Sequence, residues 1–217
     1  MIPPDAQSKG KLMSITRDEI HRLERLVTDF LQYARPRPLE LEEIPAVELL
    51  ERCREVLKGE FRSRGARLTV DDRSGGAKVR VDPGQMNQLL LNLVQNALAA
   101  SESEQAQDGT EVRLGVTREQ ERVVFEVEDR GSGMSQEVQS QMFDLFYSTR
   151  KGGTGLGLPV VRRIAETHHA DLTVVSRPGE GTLIRLALPE ALPNPSSDEL
   201  SASQASIRAS KSSWVKN

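Results

Sequence analysis

The sequence is poor in the residues that would tie it to a disulfide scaffold, a membrane span or a nucleic acid. One cysteine, Cys53, stands alone among 217 residues, so no internal disulfide can form and a reducing, cytoplasmic setting is expected. Its apolar-leaning helical surroundings mark it as a buried structural thiol rather than a nucleophile. Aromatics make up 4% of the chain, which leaves the core to Leu, Val, Ile and Ala. Nowhere do 18 apolar residues run together, and the Met1-Ile2-Pro3-Pro4-Asp5 start is no signal peptide, so no direct membrane contact is expected from this chain. Net charge is −3 with the signs interspersed, which excludes a broad basic surface for nucleic acid.

What is present divides by texture into 1–38, 41–190 and 191–217. In the first part Met13, Thr16, Ile20, Leu23, Val27, Phe30 and Ala34 recur at alternating spacings of 3 and 4, with Leu26 and Leu31 widening the stripe. Arg35-Pro36-Arg37-Pro38 stops that helix, because proline lacks the amide donor and restricts its predecessor. The stripe needs cover, either from a partner helix in a bundle or from its own domain. In the middle part the patterning predicts a helix over 45–57 with Val47, Leu50 and Leu57 inward, and strands over 67–71 and 77–82 around Ser74-Gly75-Gly76. It then predicts a helix over 85–100, a strand pair over 111–117 and 122–129, and a helix over 157–168. A closing strand pair over 172–176 and 182–188 flanks Pro178-Gly179-Glu180-Gly181. Helices and antiparallel strands in this order imply an α+β fold, a two-layer α/β sandwich. Beyond Leu192 the chain is Ser-rich and weakly apolar, the composition of a disordered tail.

Four features in one order carry chemistry. Asn92 and Asn96 in LLLNLVQNALAA share a helix face, and carboxamide oxygens suit a hard Mg²⁺ whose other ligands are waters and phosphate oxygens. Two polar residues on a solvated face, or capping nearby loops, would look the same. Asp129-Arg130-Gly131-Ser132-Gly133 follows a strand; its carboxylate could accept from the exocyclic amine of adenine while the glycines let backbone approach a flat ring. A plain glycine turn is the bland alternative. Phe143-Asp144-Leu145-Phe146-Tyr147 is either a lid anchor or an ordinary core contact. Gly152-Gly153-Thr154-Gly155-Leu156-Gly157-Leu158 opens a helix, offering unpaired amides and a positive dipole end to phosphate, with Arg150 and Lys151 just upstream. It is no P-loop, since Leu158-Pro159 stands where Lys-Ser/Thr is required, and G-x-G-x-G is not the G-x-G-x-x-G of a dinucleotide fold.

The order of asparagine box, D-x-G-x-G, aromatic pair and G-x-G-x-G resembles the ATP-binding fold shared by gyrase-type ATPases, Hsp90, MutL and histidine kinases (the GHKL or Bergerat fold). FDLFYSTRKGGTGLGLPVV and SRPGEGTLIRLALP are similar to the lid, second glycine box and closing hairpin of sensor histidine kinases, and NALAA to the nitrogen-regulation type. EIHRLERLVTDFLQYARP resembles the second helix of their dimerisation and phosphotransfer stem. The resemblance implies that Asn96 ligates Mg²⁺ with Asn92 beside it, that Asp129 reads adenine in a slot shaped by Gly131 and Gly133, and that Arg150 or Lys151 acts with Gly153, Thr154, Gly155, Leu156 and Gly157 on the phosphates of ATP. An asparagine at position 92, where gyrase-like ATPases carry a water-activating glutamate, fits phosphoryl transfer to a protein. Implied partners are a second copy through the stem and a response-regulator receiver domain. The family's phosphoacceptor motif, histidine-acidic-x-x-asparagine-proline, is absent; His21 sits on the second-helix pattern, and a fragment of a longer kinase is expected. His168 and His169 end a helix, where an imidazolium would suit the dipole, and His169-Ala170 departs from the family's His-Gly-Gly. Competing functions are an anti-sigma-type serine kinase, which normally lacks the stem helix, and a non-catalytic nucleotide-binding scaffold.

Overall fold

Alternation at the centre of the chain builds the sheet. Val112, Leu114 and Val116 on one strand and Val123, Phe125 and Val127 on the next are all buried, so one face of this pair is apolar throughout. The computed structural model describes residues 38–101, 110–150 and 152–189, with isolated helical positions at 13, 16, 17 and 20. The rest of the expected stem helix, His21, Lys151 and the Ser-rich tail lie outside the described residues. In chain order the elements are β1 (Glu42–Pro45), α1 (Ala46–Ser63), β2 (Arg67–Arg73), β3 (Lys78–Val81), α2 (Pro83–Ser101), β4 (Glu111–Glu119), β5 (Arg122–Asp129), α3 (Gln136–Gln141), α4 (Gly157–Thr167), β6 (Asp171–Arg177) and β7 (Gly181–Pro189).

Five strands form the main sheet in the order β2-β4-β5-β7-β6, with α1, α2 and α4 packed on its apolar face, a two-layer α/β sandwich. The sequence suggested that 67–71 and 77–82 meet around one turn; they do not pair. β2 runs parallel to β4 at the sheet edge, whereas β3 pairs antiparallel with β1, a strand the patterning did not reveal. Asp72 closes the intervening turn by accepting the amide and hydroxyl of Ser74 at 2.9 and 2.6 Å, and this turns the chain out of the main sheet. The first helix runs on to Ser63 and buries Ala46, Leu49, Leu50, Cys53, Leu57 and Phe61, a stripe at helical spacing that leaves Val47 half-buried. Cys53 is fully buried, which pushes its thiol up to about 12 and leaves it inert.

The opposite sheet face is wet. Arg113, Asp71, Arg73, Glu126, Arg185 and Glu119 form a chain of ion pairs across it, pairs worth about 0–1 kcal/mol each at such exposure. No helix among the described residues is long and apolar enough to cross a membrane.

Helix α4 ends in a Schellman turn: the Ala170 amide donates to Ala165 and the His169 amide to Glu166, with His169 itself at φ 53 in the position where glycine is usual. The expected imidazolium at His168 is overturned. His168 is fully buried, its Nδ1–H donates to the Ile164 carbonyl at 2.9 Å, and its Nε2 accepts the Asp82 amide at 3.0 Å. A ring that accepts through Nε2 is neutral, and burial lowers its pKa accordingly.

Candidate functional site

Two helices and one strand end enclose the candidate site. Helix α2 is pinned by Leu89, Leu90, Leu93, Val94 and Leu98, each nearly without exposure and worth about 1.5–3 kcal/mol when fully buried. That stripe leaves Asn92 and Asn96 half-buried on the flank toward α4. Helix α4 starts at Gly157 behind the fully buried Leu156, with no side-chain cap bond and no acidic residue in its first turn. Its leading amides, at Gly157 and Leu158, come before the first intrahelical donor, the Val160 amide that bonds the Leu156 carbonyl, so they and the dipole end remain for an anion. The two features face each other: a Cβ on Gly157 would lie 3.5 Å from Asn92 Oδ1 and 3.8 Å from Asn96 Nδ2.

A cation already stands on Asn96. One Arg150 guanidinium nitrogen donates to Asn96 Oδ1 at 3.2 Å and another to the Asn96 carbonyl. The carboxamide oxygen is thus presented to positive charge, the donor chemistry a magnesium ion needs. Among the described residues no three His, Cys, Asp or Glu side chains cluster to hold a metal by themselves. A metal on Asn96 would therefore take its remaining ligands from phosphate and water.

The other end is Asp129, the last residue of β5 and only 7% exposed. Its Oδ1 accepts the Gly131 amide at 2.8 Å, and the Thr182 amide also donates to the carboxylate. Burial nonetheless pushes its pKa up to about 6, against the lowering effect of those amides and of the Arg150 charge. Gly131 lies against this carboxylate and against the end of α2, where a Cβ would come within 2.5 Å of the Ala100 carbonyl. Gly133, expected beside the adenine, packs against the β6–β7 hairpin. At φ +61, its Cβ would fall 1.9 Å from the Arg177 carbonyl oxygen, so its bareness serves the docking of the β6–β7 hairpin.

Residues 143–150 and 152–156 precede α4. Phe143 packs partly against the core with the Arg162 guanidinium 6.0 Å over its ring, whereas Phe146 is 60% exposed at φ 66. Phe146 donates its amide to Gly155 at 3.0 Å; a Cβ on Gly155 would lie 2.4 Å from the Phe146 carbonyl carbon, so this crossing admits only glycine. Gly153 sits against Ser148 Oγ, and Thr154 Oγ1 accepts the Leu156 amide at 3.4 Å. Sequence reasoning missed Thr182 and Ser176, which brace the Asp129 end. Ser176 accepts the Met134 amide at 2.9 Å, and only the Thr-Ser pairing across the hairpin could have signalled it.

A family model described as histidine kinase-, DNA gyrase B- and HSP90-like ATPase matches residues 81–192, which contain every element of this site. The chain belongs to the histidine kinase-, DNA gyrase B- and HSP90-like ATPase family. Members it resembles include the sensor histidine kinase ZraS of Klebsiella oxytoca, 31% identical over 190 residues covering 86% of this chain and 39% of that protein. The sensor protein kinase PilS of Pseudomonas aeruginosa is 32% identical over 81% of this chain and 33% of its own length. The sporulation kinase E of Bacillus subtilis is 27% identical, and the match spans 81% of this chain but 23% of that protein. The chain thus spans well under half the length of the curated relatives it matches. The fold of this ATPase family recurs in the catalytic domain of histidine kinase ThkA, with TM-score 0.61 and 23% identity over 70% of this chain and 96% of that one. It recurs also in full-length ShkA in complex with AMPPNP, with TM-score 0.70 and 24% identity over 87% of this chain and 40% of that one.

Proposed function

We propose that this chain is the ATP-binding catalytic portion of a sensor histidine kinase, which transfers the γ-phosphoryl group of ATP to a histidine on a dimeric stem for relay to a response-regulator aspartate. The observation that carries this reading is the juxtaposition of Asn92 and Asn96 with the uncapped, glycine-lined start of α4, closed at the far end by the buried Asp129. The kinase names of the relatives support it, and so does the AMPPNP held by ShkA. ThkA has been solved in complex with response regulator protein TrrA, which favours the same class of downstream partner. The stem reading rests on the heptad, of which Met13 and Ile20 are helical and exposed by 68% and 50%.

Asp129 accepts the adenine amine and fixes the base, while Gly131 keeps backbone flat against the ring. Phosphates lie toward the Gly157 and Leu158 amides, whose positive end draws negative charge. Arg150 is close enough to follow the terminal phosphate when it leaves Asn96, and Lys151, outside the described residues, follows it in sequence. A magnesium ion would be held by Asn96 and would supply positive charge to offset the charge that develops during transfer. Asn92, a carboxamide without basicity, cannot deprotonate a water, which protects the γ-phosphate from hydrolysis. These residues align and neutralise, which is most of what phosphoryl transfer asks of a protein.

The test is complementation. Incubated with labelled Mg·ATP and a supplied two-helix stem carrying the acceptor motif, the chain should place acid-labile phosphate on the stem histidine and none on itself. Acid-stable phosphoserine on a partner would support the serine kinase, and tight binding without transfer would support the scaffold.

A further inference from the structure

Asp82 and His168, outside the candidate site, are buried to 1% and 0% exposure. Burying such groups is costly unless their bonds are worth the desolvation, and here nearly every polar atom is committed. Asp82 Oδ1 accepts the Gln85 amide at 2.9 Å and its carbonyl accepts the Met86 amide at 2.9 Å, which caps and starts α2. Its Oδ2 accepts the amide of Glu40 at 3.2 Å, on the segment by which the chain enters the domain. Its own amide donates to His168 Nε2 at 3.0 Å, and His168 Nδ1–H donates to Ile164 of α4 at 2.9 Å. One continuous run of bonds therefore joins the incoming segment to the first turn of α2 and the last turns of α4. These are the two helices whose Asn92, Asn96 and Gly157 face one another.

We infer that Asp82 and His168 are positioning residues that tie the segment entering at Glu40 to both pocket helices, so that strain on that segment changes nucleotide affinity. This rests on the nucleotide reading of the pocket. A helix is stiff along its axis, and a shift of the Asp82 cap moves Asn92 and Asn96 with it. His168 makes α4 share that movement, because the same amide that begins α2 is bonded to the ring at the end of α4. An apolar pair could fill this volume, but it would let the helices slide; directional bonds fix their register.

The imidazole can be dissected. Glutamine at position 168 places an accepting oxygen where Nε2 stands, which keeps the bond to Asp82 and loses the one to Ile164. Asparagine places a donor where Nδ1 stands, which keeps the bond within α4 and loses the one between helices. Glu40→Pro removes the donor of the incoming segment. The full chain and these three variants are titrated calorimetrically with Mg·AMPPNP at a temperature where melting curves show each to be folded. His168→Gln should stay within about twofold of the unmodified chain, while His168→Asn and Glu40→Pro should weaken binding by about fivefold, the scale on which residues along a coupled network act. Lowered melting temperatures with equal affinities in all three variants would overturn the inference, as would equal weakening by Gln and Asn. An unmodified chain that fails to bind would overturn the nucleotide reading itself, and this inference with it.

Discussion

The two ends of the pocket are built by opposite means. At the Asp129 end, backbone crosses backbone: Gly133 and Gly181 each leave about the space of a missing Cβ, 1.9 and 2.0 Å from a facing carbonyl oxygen, and the carboxylate is tied by two amides. At the Asn96 end, half-buried carboxamides meet a helix start with no side-chain cap, and the contact across the opening is made by the exposed Arg150. The Asp129 end is thus preformed, whereas the Asn96 end is left open; under the proposed function these are the base end and the phosphate end. Such a division suits a site that must hold a nucleotide while leaving its terminal phosphate accessible to a protein acceptor.

The comparison breaks first at its glycines. Gly133→Ala should cost about 3 kcal/mol or more, combining a left-handed backbone strain of ~1–2 kcal/mol with overpacking of ~1–3 kcal/mol. Gly152, at φ +82 with open space around it, should lose only the backbone part on substitution by Ala, about 1–2 kcal/mol. Denaturant melts of both variants measure the gap, and equal losses would mean that the hairpin is not pressed on the Asp129 loop.

Ligand binding sharpens the contrast. Asp129→Ala should weaken ATP at least about tenfold, from losing a bond of roughly 1.5–3 kcal/mol to a charged acceptor. Asn96→Ala should leave metal-free binding of the base nearly intact and abolish the gain in affinity on adding magnesium, as read by calorimetry with and without chelator. If both variants weaken metal-free binding alike, the two ends are not separate.

Acidity provides a finer probe. The adenine amine is a donor, and ionised Asp129 accepts it more strongly than the neutral acid does; burial pushes this carboxyl up to about 6. Affinity should therefore fall as pH drops through about 6, an inflection absent from the profile of Asp129→Asn. For the fold the sign is opposite: a carboxyl raised from 3.8 to about 6 contributes stability below the lower value and loses it as pH rises through the higher. Smallest of all, Arg150→Ala should change stability by no more than about 0.5 kcal/mol, as for other exposed residues. A larger loss in melting experiments would mean that the phosphate end is preformed too.

How much of this was legible in the residues follows from the range of each interaction. Asn92 and Asn96 announce themselves by a spacing of one helical turn, and Gly153, Gly155 and Gly157 by a local run, so the two features that meet at the Asn96 end are each local signals. The antiparallel pairs β4–β5 and β6–β7 were legible because short turns join them. The β2–β4 pairing was not, since its partners are separated by β3 and α2, and a parallel edge strand carries no turn signal. His168 was misread for the same reason: helix-end position argues for a charged ring, but the Asp82 amide that makes it neutral lies 86 residues away. Gly133 shows the complementary limit. Its motif points to a ligand, and the local pattern is silent about the hairpin more than forty residues downstream that also needs its bareness.

The most direct measurement is a crystal structure of the chain with magnesium and a non-hydrolysable ATP analogue. Adenine should be bonded to Asp129, phosphates should lie on the first turn of α4, and the metal should have replaced Arg150 on Asn96 Oδ1. An analogue bound elsewhere, with Arg150 still on Asn96 and Asp129 untouched, would contradict the account.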